Sequence, residues 1–61
     1  MTFIVAVEKE TYTFGTLPEA MTLYRTYQEL DIYWVTLRAT DTNDNEYVWH
    51  DSVGAFFPRN H

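Results

Sequence analysis

No cysteine occurs among the 61 residues, so neither a disulfide nor a thiolate zinc site can staple the chain. Only four Lys and Arg stand against nine Asp and Glu, a net charge of −5. That shortage of positive charge argues against nucleic acid or an anionic membrane as a direct partner, because both require a basic patch. No apolar run approaches the roughly 20 residues of a membrane span. The N-terminus lacks the basic region and apolar core of a secretion signal, and no glycine-rich phosphate loop is present. A cytoplasmic location is the expectation. The length allows one domain, residues 1–61, and a chain this short buries only about 60% of its unfolded surface. What the sequence has in excess is aromatic side chains, 18% of the chain, each able to bury roughly 150–250 Å². Self-association is the other route by which so small a domain gains stability.

The chain is organised around Thr16 to Leu30, which reads as its single helix. Thr16 is a suitable N-cap, Glu19 three residues on completes a capping box, and Pro18 sits in the first turn, where a missing N–H costs nothing. The cap is expected to run from the Thr16 side chain to the backbone N–H near Glu19. Leu17, Ala20, Met21, Tyr24 and Tyr27 form one apolar stripe, with Leu23 and Leu30 at its edge. Before the helix, Thr2 to Val7 is a strand apolar on both faces. Glu8 to Glu10 is either a bend within one long strand, the favoured reading, or a tight turn from which Thr11 to Phe14 returns. After the helix, Ile32 to Thr40 is a strand whose Tyr33, Val35, Leu37 and Ala39 face the helix. Asp41 to Asn45 is a polar turn, and Glu46 to Val53 is the return strand, with Thr40 opposite Glu46. Leu17, Met21, Tyr24, Val35 and Leu37 are expected to be buried together. Residues 55–61 form a tail, with Arg59, Asn60 and His61 frayed. The predicted fold is α+β: a β-α-β-β chain with three or four strands, antiparallel or mixed, and the helix on one face.

Three patterns carry the letters of a chemical site. Asp41, Asn43 and Asn45 match the start of an EF-hand calcium loop, but Glu46 stands at the glycine position and Ser52 at the bidentate glutamate position. A solvated hairpin turn is the simpler reading. His50, Asp51 and Ser52 spell a hydrolase triad, yet neighbours on a strand point to alternate faces and do not converge. His50 and His61 would need carboxylate help to hold a metal. No catalytic residue, metal or cofactor is therefore assigned, and the protein is expected not to be an enzyme.

The run Thr16-Leu17-Pro18-Glu19-Ala20, preceded by Phe3 to Phe14, resembles small acidic phage-encoded proteins that bind and inhibit host enzymes, some of which block bacterial RNA polymerase. The resemblance covers about half the chain and implies an acidic, sheet-backed, one-helix inhibitor; it carries no functional residues over. Independently of it, the chain holds more aromatic area than one helix covers. Trp34, Phe56 and Phe57 either mark a protein interface, the favoured reading, or close a second small core when the tail folds back. With Asp41, Asp44 and Glu46 as a negative rim, they are the expected site for a partner with a basic surface. Mimicry of nucleic acid is a specific version, although nine carboxylates scattered along the chain form no dense stripe. A homodimer through the open sheet face is the alternative.

Overall fold

The computed structural model describes residues 1–59. Strands Thr2–Val7 (β1) and Glu10–Phe14 (β2) precede the helix Leu17–Glu29 (α1); Thr36–Thr40 (β3), Glu46–His50 (β4) and Ala55–Pro58 (β5) follow it. They form one five-stranded sheet in the order β2-β1-β3-β4-β5, with every neighbouring pair antiparallel. The α+β class holds, but the expected β-α-β-β chain with three or four strands does not. Two local events account for the difference. Glu8 adopts φ +53 and folds β2 back on β1 through a two-residue loop, with Val7 opposite Glu10. The supposed tail turns at Gly54, φ +78, and Ala55–Pro58 pairs with β4 from His50 to Tyr47. Of the residues expected to fray, Arg59 donates its backbone N–H to the Glu46 carbonyl at 3.0 Å; Asn60 and His61 lie outside the described residues.

β1 sits between β2 and β3, so α1 has to carry the chain across it. The helix packs over β1, β2 and β3. Val5, Ala20, Tyr24, Val35, Leu37 and Ala39 are buried there, with Leu17, Met21, Leu23 and Tyr27 packed around them from the helix. Val5 lies opposite Leu37, and each such side chain contributes roughly 1.5–3 kcal/mol when fully buried. The β3–β4 register pairs Thr40 with Glu46 and Ala39 with Tyr47, as the alternation predicts. Continued in both directions, that register brings Trp49 and Phe56 to the helix side, where their rings meet edge-on at 5.1 Å.

β3 is shorter than the expected strand because the helix ends differently. Leu30 is the C-cap, Asp31 takes φ +63, and the N–H groups of Asp31 and Ile32 return to the carbonyls of Gln28 and Tyr27 at 3.0 and 2.9 Å. This is a Schellman motif with Asp where glycine is usual. The chain leaves the helix in a tight loop, and only at Val35 does it rejoin the core; Tyr33 is not on the buried face. At the other end of the helix, Thr16 is extended as an N-cap should be but makes no side-chain bond to the backbone. Its hydroxyl donates to the Glu19 carboxylate at 2.6 Å, and Pro18 removes one of the unpaired donors.

Candidate functional site

The β3–β4 loop is built on Asp41. Its carboxylate accepts from the backbone N–H of Asn43 (2.8 Å) and of Asn45 (2.9 Å), from Asn45 Nδ2 (3.1 Å) and from the Tyr47 hydroxyl (3.1 Å). These donors, led by the Asn45 N–H, hold its pKa below the ordinary 3.8 against a smaller opposing effect of desolvation. Asp44 takes φ +63 at the loop tip. Beside it, Asp44, Asn45, Glu46, Tyr47 and Pro58 line a cleft of about 320 Å³. Glu46 forms an ion pair with Arg59 at 2.7 Å. The alternating Asp and Asn residues thus act as an Asx-type scaffold whose leading carboxylate is already occupied. Among the described residues, no three His, Cys, Asp or Glu side chains converge as a metal site would require.

The opposite end of the sheet carries the other candidates. The β4–β5 turn is tied to the helix through Asp51, which accepts from Arg25 Nη1 at 2.7 Å and from Trp49 Nε1 at 3.1 Å, with Gln28 Nε2 at 3.4 Å. The Trp49 hydrogen bond is the main cause lowering the Asp51 pKa; desolvation opposes it, and Arg25 adds to the lowering. His50 points to the other face, its ring edge-on to Phe57 at 5.1 Å. The triad letters therefore part company across the sheet.

Trp34 is on the α1–β3 loop, not on a sheet face, and is 57% exposed. Leu30 (64% exposed) and Tyr33 (70%) lie on the same stretch of chain, and Val53 (64%) is on the β4–β5 turn. Extending the Arg38–Val48 pairing sets Thr36 beside His50, so the 30–34 segment and the 51–54 turn share one end of the sheet. Glu29 and Asp31 flank Leu30 along the chain. Among the described residues neither makes a salt bridge, and Asp31 only accepts from the Tyr33 hydroxyl at 3.2 Å.

Of the six residues singled out from sequence, Trp34 is alone at this end. Asp41, Asp44 and Glu46 lie at the other. Phe56 is half-buried on the helix side, against Phe3 at 6.1 Å and Trp49. Phe57 is 38% exposed on the open face, opposite Val48. That face also carries Ile4, Ala6 and several threonines. Arg38 crosses its middle, with Nε enclosed and without a hydrogen-bond partner among the described residues. Val53 escaped the sequence reading because the return strand was carried on to it, past His50, and Leu30 and Tyr33 because strand alternation was carried straight through Ile32–Val35 from a helix ending at Leu30. An Asp directly after an apolar helix end, read as a left-handed cap, was the signal that would have exposed them. No protein family, curated protein or solved structure matches the chain.

Proposed function

We propose that this domain is a non-enzymatic protein-binding module, an inhibitor or adaptor, that takes a partner with a basic surface at the α1–β3 end. The observation that supports the reading is that Leu30, Tyr33, Trp34 and Val53, all more than half exposed, sit on the two connections at one end of the sheet, with Glu29 and Asp31 on the same stretch of chain as the first three. Clustered large apolar side chains mark interfaces, and aromatic anchors supply most of the affinity. The helix C-terminus adds to the negative field, since α1 has no basic residue in its last turn to offset its dipole. Asp44 and Glu46, at the far end of the sheet, serve at most as long-range steering charges.

A homodimer stacked on the open sheet face is less well supported. It would bury Arg38, which has no anionic partner among the described residues, and an unpaired buried cation is costly.

The test is to capture a partner from a cell extract and map its footprint by amide chemical shifts. Resonances of residues 30–34 and 51–54 should move while those of residues 41–46 stay. A footprint on residues 41–46, or on the strands of the open face alone, would contradict the assignment.

A further inference from the structure

The sheet has two unlike edges. β5 is four residues long and ends on Pro58, which cannot donate to a further strand. β2 is five residues, Glu10–Phe14, paired with β1 in an unbroken register. It has no proline, lysine or bulge of the kind that blunts an edge, and its one charge, Glu10, stands at its first position. The two-residue loop makes Val7–Glu10 the hydrogen-bonded pair that closes the hairpin, so Tyr12 and Phe14 also bond to β1. The N–H and C=O groups of Thr11 and Thr13 then point outward by alternation. Among the described residues no backbone bond other than those to β1 reaches this strand.

We propose that β2 is a self-pairing edge, along which two copies of the chain join antiparallel into one continuous sheet. The occupant is a second copy because the strand is complementary to itself. Pairing centred on Tyr12 uses all of Glu10–Phe14 and sets Thr11 opposite Thr13 of the second chain, twice. Cross-strand threonine pairs are favourable, and like charges directly opposite are not. In this register Glu10 meets Phe14, so the only charges on the strand never face each other. The helices also fit. The two β1 strands would lie three strand spacings apart, about 14 Å, and helices with their side chains are about 10–12 Å across. This inference is independent of the aromatic end, which stays free in such a dimer.

Light scattering on the wild-type chain at rising concentration should give a mass approaching twice 7.3 kDa. Thr11→Lys with Thr13→Lys sets like charges opposite across the interface and should weaken self-association roughly tenfold or more. An equimolar mixture with the Thr11→Glu, Thr13→Glu chain should restore the dimer. Both positions are exposed, and circular dichroism checks each variant's fold. The absence of cysteine gives a second test that needs no charge. Thr11→Cys mixed with Thr13→Cys should form a mixed disulfide on mild oxidation, in preference to either homodisulfide. A wild-type chain still monomeric at about 1 mM, a lysine variant that associates like wild type, or homodisulfides without the mixed one would overturn the proposal.

Discussion

At one end of the sheet Asp41 gives its carboxylate to four donors of its own hairpin; at the other Asp31 holds a left-handed backbone and, among the described residues, accepts only from Tyr33. Each is an Asp opening a connection, and each has an aromatic nearby. Yet Tyr47 is half-buried while Tyr33 and Trp34 stand out in solvent. A hydrogen-bonding group that is saturated internally rigidifies its loop and has little left for a partner. One that is not remains available, together with the apolar surface beside it. Density of acidic letters is therefore a poor guide to a site. What the carboxylates already hold decides.

Both ends are held by one core, and its loss should cost the most. Leu37, 1% exposed, lies between the two ends. Leu37→Ala should cost about 2–5 kcal/mol, most of the stability of a domain this size. A melting midpoint near that of wild type would mean that the sheet faces are misassigned.

Next comes the saturated end. Asp41→Ala strands the N–H groups of Asn43 and Asn45 and should lower the melting midpoint clearly more than Asp44→Asn, which keeps a side chain suited to its left-handed backbone and removes no such acceptor. The pH dependence sharpens this. Asp41 and Asp51 both have folded-state pKa values below 3.8. Their contribution is complete above the unfolded carboxylate range and is lost as pH falls through the lowered values. Thermal melts should therefore weaken below about pH 4, and the acid slope should flatten in Asp41→Asn and Asp51→Asn. Equal slopes in wild type and both variants would count against these networks.

The strained end should respond in the opposite direction. Asp31→Gly relieves a left-handed residue and removes a negative charge from the helix C-terminus, so it should stabilise the domain by up to about 1 kcal/mol. Loss of the Tyr33 contact and the flexibility of glycine reduce that gain. Chemical denaturation would measure it, and a destabilised variant would show that Asp31 does more in the fold than its single hydrogen bond implies.

These contrasts also explain what was legible in the chain beforehand. The helix, β1 and the β3–β4 register could be read because each follows a period with a clear stop: Thr16 before the stripe, and the Asp41–Asn45 turn between alternating runs. The β1–β2 turn could not, since Glu8 occupies a positive-φ position where Gly or Asn would have announced it. β5 was hidden by Gly54 and Pro58, which look like an ending but bound an edge strand. Trp34 was rightly suspected of being surplus to the core, for a different reason from the one inferred: it is on a loop released by the Asp31 cap, not on the far side of a strand. Phe56 was the reverse, since pairing with β4 turns it towards Phe3 and Trp49.

The central claim, that the exposed aromatic end is the working surface and the Asp41 end is scaffold, is tested most directly by binding kinetics with a captured partner at two salt concentrations. Trp34→Ala should leave stability within about 0.5 kcal/mol of wild type. It should weaken the complex by about 2 kcal/mol or more, mainly through faster dissociation. Asp44→Asn with Glu46→Gln should at most slow association and flatten its salt dependence. A Trp34→Ala domain that binds with wild-type rates, or a loop variant that dissociates faster than it does, would contradict the account.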